Sequence, residues 1–474
     1  MSLLDKYAAV VERTETITQI GRVSRVQGLL IESEGPQTFL GEQCKIVVPG
    51  RNSRRDSSVW AEVVGLRGGA SYLMPYTETQ GIEVGSPVVG TGETLSVPVS
   101  DKLLGRVIDS RGIPMDGKGD VGSAVFYPIF NTTPNVLTRR YITEQVITGI
   151  RAIDGLVPTG MGQRLGIFSG SGVGKSTLLG MIARNTEADV NVIALIGERG
   201  REVNDFIKQD LGPEGLARSV LVVSTSDTPP LSRLRGAYVA TAIAEYFRDQ
   251  GKNVMLLFDS VTRFARAQRE IGLAVGEPPA TRGFPPSVFS TLPRLLERCG
   301  TSDKGTITGF FSILVEGDDL DEPISDAVRG ILDGHLVLSR RLAQRNHYPA
   351  IDVIGSVSRL SERIAREEIK GAGRKVRRLL ARYTESEDLI NVGAYVRGSD
   401  AELDEAVERM PMINRFLRQG IEEKSSLDET AELLNRVAGE VDEAPPAETD
   451  VLAGIGAEDA TASVTSLFEE TGNA

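Results

Sequence analysis

The sequence predicts an α/β protein with a mostly parallel central sheet, a small β-barrel before it and a helical region after it. Short alternating apolar runs broken by Gly and Pro over residues 18–97 are typical of a barrel. Apolar strands alternate with helices over residues 98–359, as in sheets covered by helices on both faces. Residues 360–438 are polar with few strand signals, which predicts a helical domain.

The first element is expected to be an amphipathic helix within residues 1–17. Leu3, Leu4, Tyr7 and Val10 recur there at helical spacing. Such a helix packs on its own chain or docks a partner, and the sequence leaves both alternatives open.

The barrel is expected from short apolar runs separated by turn residues. These runs cover residues 21–26, 29–31, 44–49 and 60–65. After the segment 107–114, a connector is expected to lead into the core.

The core is expected to alternate strands with helices, so that ligands bind at the carboxyl ends of the strands. The predicted strands are 190–196, 219–224, 254–258, 309–315 and 332–338, and the predicted helices are 176–185, 201–210, 232–250 and 262–271.

A phosphate-binding loop follows the apolar strand end at 165–168 and leads into a helix from Lys175. It departs from the pattern Gly-x-x-x-x-Gly-Lys-Ser/Thr only at Ser169, a small residue that the turn tolerates. Glycines let the backbone N–H groups approach a triphosphate at the positive end of the helix. Lys175 is expected to reach the β- and γ-phosphates, and Ser176 to bind Mg²⁺. The residues expected to hold ATP are Gly170, Ser171, Gly172, Val173, Gly174, Lys175, Ser176 and Thr177.

Two acidic residues follow predicted strands at the same edge of the sheet. Asp259 ends the apolar run 254–258, where a second acidic group is needed to hold Mg²⁺ or its water shell. Glu198 follows the strand 190–196 and is expected to orient the water that attacks the γ-phosphate. The alternative for Glu198 is an ion pair with Arg199 or Arg201.

Several protein classes are disfavoured by composition. No apolar run reaches the roughly 18 residues needed to span a bilayer, and the first residues do not resemble a signal peptide, so we expect a cytoplasmic protein. The two cysteines, Cys44 and Cys299, are expected to be buried and reduced. The two histidines, His335 and His347, have no ligand cluster around them, so no structural metal is expected.

Charge is concentrated in two segments. Nine acids and no Lys or Arg lie in residues 440–474, so the tail, taken as 439–474, accounts for most of the net charge of −12 and is expected to be disordered. The rest is not basic overall, so nucleic acid is not an expected partner. The run 363–382 is locally basic, which indicates an exposed helix face or a surface for acidic lipid or a partner.

Four segments together resemble the rotary ATPase alpha/beta family. They are Gly197-Glu-Arg-Gly-Arg-Glu202, Asp259-Ser-Val-Thr-Arg263, Gly283-Phe-Pro-Pro-Ser287 and Pro349-Ala-Ile-Asp-Val-Ile-Gly-Ser-Val-Ser-Arg359. Within this family the segments 259–279 and 315–335 are most similar to the ATPases of type III protein export, above all the flagellar form. The resemblance covers residues 18–438 and implies a RecA-like P-loop core; the acidic tail departs from the family pattern.

The resemblance implies further site residues. Arg199 and Arg263 fall where relatives place positive charge near the γ-phosphate, and Arg359 matches an arginine finger inserted into a neighbouring subunit's site. Tyr348 matches the aromatic that stacks on adenine, with a core Tyr as the alternative, and Phe416 is a candidate for the other side of the base.

The resemblance also implies a function. It is ATP hydrolysis with Mg²⁺ by a homo-oligomeric ring, a homohexamer, coupled to unloading and export of flagellar proteins at the inner face of the cytoplasmic membrane. The implied partners are a central stalk, gripped by the loop at Phe284, and regulator proteins, export substrates and chaperones. An injectisome ATPase is the main alternative. A rotary synthase subunit, an RNA helicase and a nonhydrolysing ring component are further alternatives; Glu198 disfavours the last.

Overall fold

The computed structural model of the protein describes residues 19–50, 57–122, 125–315 and 319–439. The helix predicted within 1–17 and the acidic segment 440–474 lie outside the described residues.

Six antiparallel strands of the N-terminal region close into a barrel in the order β1-β2-β5-β4-β3-β6. The strands are β1 (Ile20–Gln27), β2 (Leu30–Glu34), β3 (Glu42–Val48), β4 (Ser57–Arg67), β5 (Ala70–Pro75) and β6 (Pro87–Thr94). Alternate side chains face a small apolar interior, where Val23, Ile31, Ile46 and Leu73 are at most 1% exposed. The predicted barrel is thereby confirmed.

Four short strands link the barrel to the core in two small sheets, β7 with β9 and β10 with β11. They are β7 (Ser96–Pro98), β9 (Phe126–Pro128), β10 (Gln145–Val146) and β11 (Thr159–Gly160).

A nine-stranded sheet forms the core, in the order β19-β18-β12-β17-β15-β13-β14-β8 with β16 beside β17. Its strands are β8 (Arg106–Ile108), β12 (Arg164–Ser169), β13 (Val190–Ile196), β14 (Ser219–Ser224), β15 (Asn253–Asp259), β16 (Gly300–Thr301), β17 (Thr306–Leu314), β18 (Gly334–Leu338) and β19 (Ile351–Ser358). Neighbours are parallel except for β19 against β18 and β16 against β17. The predicted mostly parallel sheet is confirmed, and the five predicted strands correspond to β13, β14, β15, β17 and β18.

Helices pack on both faces of this sheet through two large apolar clusters. They are α1 (Arg151–Leu156), α2 (Lys175–Asn185), α3 (Gly200–Asp205), α4 (Gly212–Ala217), α5 (Pro230–Asp249), α6 (Val261–Ala274), α7 (Pro286–Leu296), α8 (Pro323–Ile331) and α9 (Arg340–Gln344). The four predicted helices correspond to α2, α5, α6 and α3, the last continued by a π-helical turn at Phe206–Leu211. Sequence periodicity does not predict α7, because Pro293, a residue disfavoured in helix interiors, lies inside it.

Both ends of the sheet differ from the expectation. The sequence pattern assigns no element to the segment before the connector, whereas Arg106–Ile108 forms β8 beside β14. At the other end, Ile351–Ser358 forms β19, which the sequence pattern did not predict. A three-residue strand is too short to show periodicity, and β19 interrupts its apolar alternation with Gly355.

The C-terminal region is helical, as predicted, and contains four helices. They are α10 (Ser361–Ile364), α11 (Glu367–Asn391), α12 (Ala401–Leu417) and α13 (Leu427–Ala438). The basic run 363–382 lies largely on α11, and acidic residues pair with much of it: Lys375 with Glu405 and Arg378 with Glu402, each at 2.9 Å. This pairing favours the exposed-face interpretation over contact with acidic lipid.

Candidate active site

The phosphate-binding loop lies at the carboxyl end of β12, directly before α2. Gly172 and Gly174 have φ of 76° and 90°, a left-handed backbone in which a side chain would be strained. These two positions turn the chain so that the first N–H groups of α2 face a cavity, an arrangement suited to phosphate. Val173 points the other way and is 2% exposed in the apolar core, so only its backbone is available to a ligand.

A buried charge cluster is centred on Lys175. Its Nζ forms ion pairs with Asp259 and, at 3.4 Å, with Glu198. The Ser312 hydroxyl donates a 2.7 Å hydrogen bond to Asp259. Burial lowers the pKa of Lys175, but the charges of Asp259 and Glu198 outweigh it and leave the pKa raised, so the ammonium is held in its charged form.

Glu198 follows β13. Arg263 lies on α6, which follows the neighbouring strand β15, and its side chain contacts Glu198. The Arg263 guanidinium lies 3.1 Å from Glu198 Oε2. Gly197 allows this approach, because a Cβ there would lie 2.9 Å from the Arg263 side chain. The predicted alternative, a pair with Arg199 or Arg201, is not found: Arg199 pairs with Glu202 at 3.3 Å, and Arg201 with Asp205 at 3.4 Å.

Lys175, Glu198 and Arg263 line a cavity of about 670 Å³, within the ordinary range for a nucleotide-sized ligand. Three charged lining residues were not predicted from the sequence: Glu202, Arg266 and Arg340. Helical spacing was an available signal for two of them, since Glu202 lies three residues after Arg199 and Arg266 three after Arg263. The full lining is Gly170, Ser171, Gly172, Gly174, Lys175, Ser176, Thr177, Glu198, Arg199, Glu202, Arg263, Arg266, Leu314, Val315 and Arg340.

The two predicted base-binding aromatics lie in different environments. Tyr348 is 41% exposed, and a Cβ added to Gly174 would lie 3.4 Å from its ring, so Tyr348 stands beside the phosphate loop. Phe416 is 3% exposed and packs against Gly155 of α1 in the apolar core, which covers its ring. The structure therefore does not bring Phe416 to the cavity. The segment that follows Phe416 comes back to Tyr348: the Gln419 N–H donates a 2.9 Å hydrogen bond to the Tyr348 carbonyl. Ile421, two residues after Gln419, is exposed.

Arg359 lies at the opposite edge of the sheet from the cavity. It follows β19, whose last residue Ser358 pairs with Gly334 at the start of β18, and its N–H bonds the Asp333 carbonyl at 3.0 Å. The phosphate loop follows the other end of β12, a strand of six residues or about 20 Å. Arg359 is exposed, and within the described ranges its guanidinium has no hydrogen-bond or ion-pair partner. It does not enter the cavity of its own chain.

Phe284 is only half exposed. Its ring lies 5.2 Å from the Arg269 guanidinium and packs edge-on against Phe289. The predicted loop that presents Phe284 thus rests on α6 and α7.

Cys44 and Cys299 are both buried thiols, and burial raises the pKa of each to about 12. Across the described part of the chain, no helix combines the length and the apolar character needed to cross a bilayer.

Three family models match the chain in order. Residues 23–92 match the beta-barrel domain of the ATP synthase alpha/beta family, 149–358 match its nucleotide-binding domain, and 365–436 match the C-terminal domain of the type III secretion ATPase EscN.

Curated proteins and solved structures resemble the whole described architecture. The flagellum-specific ATP synthase of Treponema pallidum is 59% identical, over 92% of this chain and 97% of that protein. The type 3 secretion system ATPase of Xanthomonas euvesicatoria is 51% identical, over 88% of this chain and 93% of that protein. The assembled ATPase EscN of enteropathogenic E. coli, in complex with its central stalk EscO, superposes with a TM-score of 0.81 at 44% identity, covering 88% of this chain and all of EscN.

Proposed function

The chain belongs to the ATP synthase alpha/beta family, among the ATPases of flagellar and type III protein export, and we propose that it hydrolyses ATP with Mg²⁺ at sites shared between identical copies. One observation carries the proposal. Lys175, Glu198 and Arg263 line a nucleotide-sized cavity, with Asp259 buried and paired to Lys175, while Arg359 stands on the opposite edge of the same sheet.

The donors near the phosphate loop fit Mg²⁺. Ser176 and Asp259 both offer oxygen, the ligand that this ion prefers, and Mg²⁺ commonly uses few protein ligands together with substrate phosphates and water. Asp259 is held by Lys175 and Ser312 with its carboxylate at the carboxyl edge of β15. When bound, the ion would neutralise charge on the β- and γ-phosphates.

The protein's own groups divide the remaining work. Lys175 binds the phosphates, which replace its present carboxylate partners in part. Glu198, freed from Lys175 by that exchange, orients the attacking water and accepts its proton, while Arg263 keeps the carboxylate aimed. Arg199 and Arg263 add positive charge beside the γ-phosphate, and Tyr348 stacks on the base.

Arg359 supplies the last charge from a neighbouring copy. A guanidinium matches the charge spread over the equatorial phosphate oxygens, and fingers of this kind contribute about 10³ to 10⁵ in rate. One chain offers a cavity on one face and a finger on another, which is a head-to-tail interface that closes into a ring. We propose a homohexamer, in keeping with the assembled state named for EscN.

The biological role we propose is flagellar protein export, in which the ring unloads chaperones and substrates at the inner face of the cytoplasmic membrane. The flagellum-specific relative is more similar than the type 3 secretion relative, at 59% against 51% identity. An injectisome role is the second candidate, since both groups of relatives cover most of the chain. The loop at Phe284 is proposed to contact a central stalk, the kind of partner named for EscN; regulator proteins are further proposed partners.

Mixing two inactive variants tests the shared site. Glu198→Gln retains the finger and Arg359→Ala retains the catalytic carboxylate, so neither should hydrolyse ATP alone. If copies mix at random in a ring, roughly a quarter of the interfaces combine an intact Glu198 with a neighbour's Arg359. An equimolar mixture should therefore recover roughly a quarter of the parent rate.

In the control mixture, the double variant Glu198→Gln/Arg359→Ala replaces one of the two single variants. No interface in that mixture then combines an intact Glu198 with an intact Arg359. Equal, near-zero rates in both mixtures, with mixed rings verified by mass, would overturn the shared site.

A further inference from the structure

A loop at residues 136–141, here the 136–141 loop, exposes three large apolar side chains. Leu137 is 93% exposed, Tyr141 84% and Val136 78%. Single exposed apolar residues are ordinary, but three in six residues mark an interaction surface.

The exposure is not that of a loose segment, because polar contacts hold the loop on both sides of Leu137. The Asn135 side chain accepts the Leu137 N–H at 3.0 Å. Arg139 donates to the Glu297 carbonyl at 2.7 Å, and Arg140 to the Lys304 carbonyl at 2.9 Å. The loop therefore presents its apolar side chains from a fixed frame.

That frame also carries Arg359. Glu297, which holds Arg139, forms an ion pair with Arg164 at 2.5 Å. Arg164 pairs with Asp333 at 3.0 Å, and the Asp333 carbonyl accepts the Arg359 N–H at 3.0 Å. The 136–141 loop and Arg359 thus lie on one edge of the sheet, at the amino ends of β12 and β18.

We propose that the 136–141 loop is a docking surface for a second copy of this chain, on the face that carries that copy's nucleotide cavity. The proposal rests on the shared site proposed above. A neighbour positioned to receive Arg359 in its cavity meets the same edge, and Leu137 with Val136 and Tyr141 would be the apolar anchors of that contact.

The charges around the loop favour a protein surface over other occupants. Arg139 is paired with Glu297, so Arg140 and Arg359 are the cations left beside the exposed apolar side chains, fewer than the basic clusters that bind lipid head groups or nucleic acid. A neighbouring protein copy matches this surface better, because it exposes the apolar Ile421 two residues after Gln419, whose N–H bonds the carbonyl of Tyr348 beside the phosphate loop.

Leu137→Asp tests the proposal through assembly. A charge at a buried interface anchor should raise the protein concentration at which rings form by about tenfold or more, measured by sedimentation velocity with Mg²⁺ and a nonhydrolysable ATP analogue. The ATPase rate should rise over the same shifted concentration range. Val392→Asp, at an apolar residue that is 76% exposed directly after α11, is the matched control and should assemble as the parent does.

A thermal melt of the monomer separates assembly from folding, because Leu137 is exposed and the melting temperature of the variant should not change. If Leu137→Asp forms rings at the parent's concentration, the docking proposal is wrong. Failure of the shared site is a different result: rings of Arg359→Ala that hydrolyse ATP at the full rate.

A photoreactive phenylalanine analogue at position 137 locates the contact. Irradiated rings should yield dimers whose adducts map to α2, α3 or the rim of the nucleotide cavity in the second copy. Adducts confined to the same chain, or to any other surface of the second copy, would overturn the proposal.

Discussion

The two edges of the central sheet are built differently. At the carboxyl edge, Lys175, Glu198 and Asp259 are at most 11% exposed and are joined by ion pairs. At the amino edge, Arg359 and the 136–141 loop are exposed, and nothing in the described chain covers them. At the carboxyl edge, the phosphates of a nucleotide can replace carboxylates as the partners of Lys175. The groups at the amino edge can act only by contacting another molecule.

Lys175→Ala should give the largest effect and acts only on the carboxyl edge. Its removal leaves two buried carboxylates without their shared cation, which repel a triphosphate as well as each other. We expect ATPase activity to fall by about 10³-fold or more, and binding of a fluorescent ATP analogue to be lost. Lys424→Ala, at an exposed lysine, is the control. Parent-like turnover in Lys175→Ala would refute the phosphate-loop assignment.

Arg359→Ala should separate the two edges, because it leaves the cavity intact. The affinity for ATP should change less than about threefold, while kcat at ring-forming concentrations falls by about 10³-fold. Arg363→Ala, four residues on and also exposed, should retain activity. If Arg359→Ala weakens ATP binding as much as Lys175→Ala does, the contrast between the edges is wrong.

Tyr348 tests how far the carboxyl edge is complete in one chain. Its ring stands beside Gly174 and is 41% exposed, so a base can cover it. Tyr348→Ala should raise the Kd for ATP about tenfold through loss of stacking, whereas Tyr348→Phe keeps the ring and should change it less than about twofold. Phe416→Leu, in the core, should lower the melting temperature and leave the Kd for ATP unchanged. If Phe416 contacted the other side of the base, this substitution would raise the Kd instead.

The sequence was sufficient for the parts of the site that follow strands directly. Glu198 and Asp259 were placed at one edge because the carboxyl ends of parallel strands share an edge, and the phosphate loop has a fixed local pattern. Their joint pairing with Lys175 was not predictable, because it depends on the strand order β12-β17-β15-β13, which no local pattern encodes.

Orientation limited the other predictions. Phe416 is an aromatic residue near the expected base site, but its identity does not reveal that α12 turns the ring into the core. Arg359 was recognised from its motif, whereas its position at the amino edge follows from the antiparallel direction of β19, and β19 was not predicted. The apolar residues of the 136–141 loop can be read from the sequence. Their exposure cannot, because it depends on contacts with residues some 160 positions away.

The chain's two histidines allow the smallest comparison, since one lies at each edge. His347 precedes Tyr348 at the carboxyl edge and is 4% exposed; burial, followed by the charge of Arg418, lowers its pKa to about 4. His335 lies at the amino edge, where burial also lowers its pKa. Between about pH 6.5 and about pH 4, His347 is protonated in the unfolded chain but stays neutral in the folded protein. The free energy of unfolding should therefore fall as the pH drops through this range.

Melting temperatures between pH 7 and pH 4 measure this effect, with His347→Gln and His335→Gln compared with the parent. His347→Gln should lose less stability on acidification than the parent, because it has no proton to accept at this site. His335→Gln should differ less from the parent, because His335 is less buried and its Nε2 lies 3.1 Å from the Gly355 carbonyl, a contact that favours the protonated ring. Equal pH profiles for His347→Gln and the parent would mean that the carboxyl edge is open enough at His347 to admit the proton.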